Sequence, residues 1–394
     1  MWADLADVGR DRSTGGYRRF AWTGVDRTLH EWFAAQAARR GLDLTVDRAG
    51  NQWAWWGDAD AAVAAGDPGI AVGSHLDSVP DGGAFDGPLG VVSAFTAIDV
   101  LRDDEFLPQR PIAVVRFVDE EGGRFGLACV GSRLLTGALP PERALSRTAD
   151  DGVTMAEALA AAAHSPGDVG RDDDALRRVG AFVELHVEQG RGLAELAAPV
   201  AVARSIWAHG RWRIDLPGEA NHAGTTALAD RRDPMLGYAQ SILLARAGAV
   251  RHHVLATCAK VRVQPNAVNA IPSHVTAWLD VRGADQTAVR ALVAELTALA
   301  RTRGGALGEE SWTPPTTFDA ALVARMAATL GDPPRLTTGA GHDAGVLAAS
   351  GVPAGMLFVR NPTGISHAPA EFAEPADCRA GVEALAAVLR DLAG

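Results

Sequence analysis

The sequence predicts an α/β protein: a mostly parallel sheet covered by helices, interrupted by an inserted ferredoxin-like α+β domain. Three observations carry this reading. In the first half of the chain, short and almost wholly apolar runs alternate with helical stretches, as strands buried on both faces of a parallel sheet require. Near Ser205 the runs change to alternating apolar and polar residues, the mark of strands with one wet face. After the pair Pro314 and Pro315 the first style returns. The expected sheet domain is therefore residues 1–205 and 315–394, and the expected insert is residues 206–314.

The first 65 residues read as helix, loop, helix, strand. Residues 26–40 have apolar positions at helical spacing and stop at Gly41. Trp53, Trp55 and Trp56 form an aromatic cluster placed near a turn and read as core packing. The run GIAVGSH (residues 69–75) is a buried strand, residues 88–101 a helix opened by proline, and residues 111–118 and 181–187 two further apolar strands. The Ala- and Asp-rich stretch between them holds one helix at 154–163 and a polar loop. In the insert, strands are expected at 211–218, 254–263 and 274–282 and helices at 233–246 and 285–303, with a short closing strand. Helices at 319–330 and 342–350, a strand at 354–359 and a helix at 376–392 complete the sheet domain.

At 394 residues, and roughly 100–200 residues per domain, two or three domains fit. A net charge of −11 argues against a nucleic-acid binder or a polybasic membrane-surface protein, because phosphate backbones and anionic headgroups need clustered Lys and Arg. No apolar stretch reaches the roughly 18 residues that span a bilayer. Cys129, Cys258 and Cys378 are far apart, odd in number and outside any CxxC motif, so reduced thiols in a cytoplasmic protein are expected. The first residues lack a basic region followed by an apolar run, so no signal peptide is expected.

Chemistry-bearing residues recur at the ends of the predicted parallel strands, the edge where open α/β sheets bind ligands. His75 ends one strand and Asp77 follows it; Asp86 lies eleven residues on, inside the Gly-rich loop DGGAFDGPLG. Asp119, Glu120 and Glu121 follow the next strand, His186 lies within the third, and Ser366 and His367 follow the last. Each residue alone reads as an ordinary core, turn or surface group. Three histidines and three carboxylates converging on one edge do not, because buried carboxylates are costly unless paired or metal-bound. Imidazole nitrogen and carboxylate oxygen suit Zn, and also Mn, Co or Ni. The set suits two such ions about 3.5–4 Å apart, sharing a hydroxide and clamping a carbonyl oxygen. Asp86 in its flexible loop is the natural bridge. Adjacent residues in an extended loop diverge, so one of Glu120 and Glu121 would bind metal while the other faces the attacking water. Asp77, two residues after His75 on an extended segment, would orient that imidazole.

The segments GSHLDSVPDGGAFDGPLGV, FVDEEGGRFG, ELHVEQG, GEANHAGTT, QPNAVNAIP, GAGHDAG and GISHAPAE stand in this order between about Trp22 and Glu374. They resemble the metal-dependent amidohydrolases that include N-carbamoyl-L-amino acid hydrolase, bacterial-type β-ureidopropionase and allantoate amidohydrolase, within the dinuclear-zinc aminoacylase and exopeptidase clan. The resemblance implies a zinc-exopeptidase-like sheet domain, an inserted dimerisation or lid domain, and a homodimer. It implies that His75, Asp86 and His186 hold one metal, that Asp86, Glu121 and His367 hold the other, and that Glu120 is the general base. It also implies a non-proline cis peptide at Asp86–Gly87. His222 would reach into the partner's site and polarise the scissile carbonyl. Asn269 and Arg282 would bind the substrate carboxylate, for which the fork of an arginine is suited. Gln189 would contact the ureido end, and Glu188 would serve structure.

His342 and Asp343 stand at a helix start, where Asp343 suits a cap or a loop-orienting role. Arg231, Arg232 and Asp233 suit support of the insert helix or of a dimer contact. The chain departs from its relatives at residues 359–364 before the last histidine, and at Ala227, where many relatives have proline. These differences touch substrate loops and leave the metal set whole. The expected reaction is hydrolysis of a linear carbon–nitrogen bond in a small carboxylate-bearing substrate such as an N-carbamoyl-L-amino acid or allantoate. Formyl, formimino and N-acyl amino acids stay open. The alternatives are a metallo-dipeptidase or aminoacylase and a non-catalytic metabolite-binding relative.

Overall fold

Four strands that are buried along almost their whole length form the centre of a nine-stranded sheet in the computed structural model, which describes residues 1–394. In chain order the strands are β1 (Asp43–Val46), β2 (Gln52–Trp56), β3 (Gly69–His75), β4 (Ile112–Phe117), β5 (Val179–Val187), β6 (Val200–Ile206), β7 (Ala208–Pro217), β8 (Asn221–His222), β9 (Leu255–Gln264), β10 (Ala270–Ile271), β11 (His274–Gly283), β12 (Ala306–Thr313), β13 (Thr316–Thr317), β14 (Arg335–Thr338) and β15 (Ala354–Val359). The large sheet runs β1-β2-β4-β3-β5-β15-β6-β13, with β14 on β6. Its centre, β4-β3-β5-β15, is parallel; β1, β2 and β6 join antiparallel.

The parallel strands read as unbroken apolar runs because helices cover them. The helix Pro88–Asp103 begins with proline, whose missing N–H costs nothing in the first turn, and buries Val91, Phe95 and Ile98. The helix Gly24–Arg39 is capped by Thr23, which accepts from Asp26 N, and buries Leu29, Phe33 and Ala37 along one stripe. The C-terminal helix Pro375–Ala393 buries Leu385, Val388 and Leu392. Trp53, Trp55 and Trp56 lie on β2, between the hairpin turn at residues 48–49 and the bend at Gly57; Trp53 and Trp55 are buried, and Trp53 donates to Asp47 at 3.0 Å.

The chain divides into two compact units, one of residues 1–204, 317–337 and 341–394, the other of residues 205–316 and 338–340. The second unit carries its own antiparallel sheet in the order β12-β7-β11-β9, with helices Pro234–His252 and Gln286–Thr302. Chain order β-α-β-β-α-β in that spatial order is the ferredoxin-like arrangement. Along β11, Val275, Ala277, Leu279 and Val281 face the core while alternate residues stay partly wet. The closing strand is eight residues long, not a short one.

Candidate active site

The parallel strands place the polar residues at one edge. His75 is the last residue of β3, Asp119 to Glu121 follow β4, His186 is the penultimate residue of β5, and His367 lies in the loop after β15. Neither His75 nor His186 is exposed, and Asp86 and Glu120 are each 6% exposed.

Asp86 is the meeting point. Its Oδ1 lies 3.5 Å from His75 Nε2 and 3.1 Å from His186 Nε2, while its Oδ2 lies 3.4 Å from His367 Nε2. His367 Nε2 is also 3.4 Å from Glu121 Oε1. The donor atoms of His75, Asp86 and His186, and those of Asp86, Glu121 and His367, lie within 4.8 Å of one another in each group. The rings of His75 and His186 face backbone carbonyls with Nδ1, at 3.1 Å from Asp77 O and 2.9 Å from Val187 O. An N–H at Nδ1 leaves the lone pair on Nε2, the tautomer a metal requires. Both Nε2 atoms are buried without a hydrogen bond, so the donor set fits divalent cations on either side of one carboxylate.

The electrostatics point the same way. Asp77, Asp86, Asp119, Glu120, Glu184 and Asp343 are all buried in this region. Burial raises Glu120 well above the usual carboxylate range, and Asp343, Glu121 and Asp77 add to the rise. Burial, then the charge of Asp86, pushes Glu121 to about 7. Burial works against protonation of His75, but Asp77, Asp86 and Glu120 outweigh it and raise this imidazole. Burial also opposes ionisation of Asp86, yet His186, His367 and His75 together hold it well below its ordinary value. A cation bound at such a cluster would displace the protons its histidines and glutamates hold.

Glu120 and Glu121 diverge as expected of neighbours in a loop. Glu121 joins Asp86 and His367; Glu120 turns to His75, at 3.8 Å, and accepts from Cys129 Sγ at 3.1 Å. Asp77 does more than face His75. Its carboxylate accepts the N–H of Glu120 at 3.1 Å and of Glu121 at 3.0 Å, so one side chain fixes both carboxylates. Gln189 donates to Asp86 Oδ2 at 2.8 Å, which places it at the centre of the cluster. Glu188 accepts from Gly192 N and Leu193 N and holds the turn after β5.

Asp86–Gly87 is trans, against the expectation of a cis bond; the one cis peptide is Gln264–Pro265. Gly87 makes the turn instead, with φ +82°, and a Cβ there would lie 2.4 Å from the His75 ring. His342 is the N-cap residue of the helix Asp343–Ala349, and Asp343 does not cap it; its buried carboxylate accepts from Ser132 Oγ. The rings of His186 and His342 meet edge to face at 4.6 Å.

Sequence reasoning gave no role to Glu371, Ser366, Glu184 or Cys129. Ser366 and Glu371 lie inside the quoted segment GISHAPAE, so the signal was present. Glu371 accepts from Phe85 N and Asp86 N, both at 2.8 Å. Glu184 accepts from Ser74 Oγ at 2.7 Å and Ala344 N at 2.9 Å.

The remaining expected residues belong to the second unit. His222 on β8 pairs with Ala270 on β10, and Asn269 O accepts from Ala223 N at 3.0 Å, so His222 and Asn269 are neighbours on two paired exposed segments, with a turn just after His222. Arg231 donates to Ala223 O and Thr226 O and braces that turn, while Asp233 caps the helix Pro234–His252. The fork of Arg282 grips Asp280 at 2.7 and 3.1 Å and reaches Gly339 O at 3.0 Å.

Comparison with known proteins agrees with the fold. Residues 71–391 match the model of the peptidase family M20/M25/M40. The chain is 37% identical to an N-carbamoyl-L-amino acid amidohydrolase of Geobacillus stearothermophilus, over 97% of this chain and 94% of that protein. It is 32% identical to the allantoate amidohydrolase of Bacillus subtilis, over 94% and 93% respectively. The crystal structure of a hydantoinase/carbamoylase family amidase from Burkholderia vietnamiensis superposes with a TM-score of 0.89 at 31% identity, covering 100% of this chain and 95% of that one. With the fold, the strand-end histidines and the whole-length likeness together, the chain belongs to the peptidase family M20/M25/M40, and within it to the hydantoinase/carbamoylase amidohydrolases.

Proposed function

We propose that the protein hydrolyses a linear ureido or amide carbon–nitrogen bond in a small carboxylate-bearing substrate, of the N-carbamoyl-L-amino acid or allantoate type. The observation that carries this is the division of Asp86, with one oxygen toward His75 and His186 and the other toward His367. His75, Asp86 and His186 would hold one divalent cation, and Asp86, Glu121 and His367 a second. Such cations, when bound, lower the pKa of water and polarise a carbonyl.

The chain's own residues do the rest. Glu120 takes a proton from the attacking water and delivers it to the leaving nitrogen, a transfer suited to a carboxylate whose pKa burial has raised. Asp77 holds Glu120 in place through its backbone N–H. Gln189, beside Asp86, meets the ureido end. Asn269 and Arg282 meet the substrate carboxylate, Arg282 exchanging part of its grip on Asp280 for the ligand.

The protein works as a homodimer in which each site receives the partner's His222. Two features of the second unit support this. The helix Pro234–His252 exposes Leu236, Leu243 and Val250 on one face, at 62, 70 and 62%. Beside it β9 ends its sheet as an open edge carrying exposed Leu255 and Val261. A second copy covers both at once by pairing edge to edge. A cytoplasmic setting accords with three free cysteines and with no helix long and apolar enough to cross a membrane.

The test is ammonia release by metal-loaded protein from allantoate, several N-carbamoyl-L-amino acids and N-carbamoyl-β-alanine, with a dipeptide control and with chelator. Metal-dependent release from a ureido substrate is expected. Faster turnover of the dipeptide overturns the ureido assignment.

A further inference from the structure

We propose that Glu371 is the positioning residue that fixes Asp86 between its histidines, by holding the backbone and the carboxylate of Asp86 at the same time. Asp86 lies in a Gly-rich loop outside any strand ladder, where an untied chain has the most conformational freedom to lose. Glu371 Oε1 accepts two successive N–H groups of that loop, Phe85 and Asp86, each at 2.8 Å. Its Oε2 lies 3.0 Å from Ser366 Oγ, and the same hydroxyl lies 3.1 Å from Asp86 Oδ2. One carboxylate thus grips the loop by its backbone and, through a serine, by its side chain.

The surroundings are shaped for this grip. Glu371 is 4% exposed, and a Cβ at Gly83 would lie 2.4 Å from Glu371 Cβ, so the loop closes around the glutamate only where a glycine stands. Glu371 belongs to the segment that carries His367, and its own N–H turns back to Ala368 O at 3.0 Å. The contact therefore joins two loops that are far apart in sequence and that supply donors to the same cation site. Residues that orient metal ligands in this way commonly change metal affinity about 10–100-fold when removed.

This inference rests on the reading of Asp86 as a cation ligand, and one experiment separates the two. Zn²⁺ binding is measured by competition with a chromophoric chelator for the wild type, Asp86→Asn, Glu371→Ala, Glu371→Gln, Ser366→Ala and the double variant Asp86→Asn/Glu371→Ala. Melting of each chelated protein is recorded alongside. Glu371→Ala is expected to weaken Zn²⁺ about 10–100-fold, and Ser366→Ala, which loses one arm only, by less. Glu371→Gln, whose amide oxygen still accepts both N–H groups, is expected to recover most of the affinity. The double variant is expected to bind no more weakly than Asp86→Asn alone, a pattern that general destabilisation does not produce. Wild-type affinity in Asp86→Asn overturns the reading of the site. Weakened Asp86→Asn with wild-type affinity in Glu371→Ala overturns the role of Glu371. If Glu371→Ala does not fold, wild-type affinity in Ser366→Ala overturns it equally.

Discussion

Glu120 Oε2 stands 3.8 Å from His75 Nε2, near enough to feel its charge and too far to be hydrogen-bonded to it. Glu120 is thus beside the donor set without belonging to it. Changing Glu120 to Gln should leave cation stoichiometry at the wild-type value while lowering kcat by at least about 10²–10⁴-fold, the usual worth of a general base. Metal analysis and steady-state kinetics on the same preparation check both halves. Retained kcat removes Glu120 from the proton path.

His222 is exposed and sits just before a turn braced by Arg231, with Nδ1 accepting from Gly224 N at 2.9 Å. His222→Ala and Glu120→Gln should each be inactive alone. Mixed under conditions that exchange subunits, they should recover roughly a quarter of wild-type activity, because half the dimers are hybrids with one complete site. No recovery, with exchange demonstrated by mass, counts against sharing of His222 between subunits.

In the proposed dimer the covered surface is the apolar face of the helix Pro234–His252. Leu236→Glu combined with Leu243→Glu should convert the dimer to a monomer, since charge on such a face opposes its burial. Light scattering coupled to size exclusion reads the mass. A dimer that persists in this variant places the interface elsewhere.

His30 offers a pH signature away from the site. Burial, then the charges of Arg116 and His164, push its imidazole from 6.5 down to about 2. Asp26 Oδ2, 3.9 Å away, does not offset this because Asp26 is already paired with Arg116. The folded chain keeps His30 neutral, whereas the unfolded chain protonates it below pH 6.5. The stability due to His30 is therefore complete above pH 6.5 and is lost as pH falls from there toward 2, by up to about 1.4 kcal/mol per unit. Urea midpoints between pH 6.5 and 5 should fall less steeply in His30→Gln than in the wild type.

Cation binding should also stabilise the fold. At a free concentration of a hundred times Kd, one Zn²⁺ site adds about 2.7 kcal/mol, so chelated protein should unfold at lower denaturant than loaded protein. In Asp86→Asn the difference should shrink sharply. An unchanged midpoint on chelation in the wild type argues against buried cation sites.

Much of this was readable from the chain. β3, β4, β5 and β15 are buried almost throughout, so each was legible as a largely apolar run, even with Arg116 inside β4 and Glu184 inside β5. His75 and His186 fell at the sheet edge for that reason. One strand was expected within the first 65 residues where β1 and β2 both stand; Gln52 is as buried as Trp53 and Trp55, and its polarity hid the start of β2. β12 was underestimated because every residue on it is partly or fully exposed, which erases the alternation. The double role of Asp77 and the grip of Glu371 were hidden for another reason. Both depend on which backbone N–H groups two distant loops present to a carboxylate, and side-chain identity does not encode that.

The carboxylate of Asp77, just past β3, supports the residues just past β4, and Glu371, past β15, supports the loop that follows β3. The bonds that matter run from loop to loop, while the helices merely return the chain from one strand to the next. The return after the helix Pro88–Asp103 passes through Leu107, which is 83% exposed. Such a stretch can carry a foreign segment, even a whole grafted domain, without loosening the cross-ties that define the centre. The fold thereby separates the parts of its sequence open to change from the few that its chemistry cannot release.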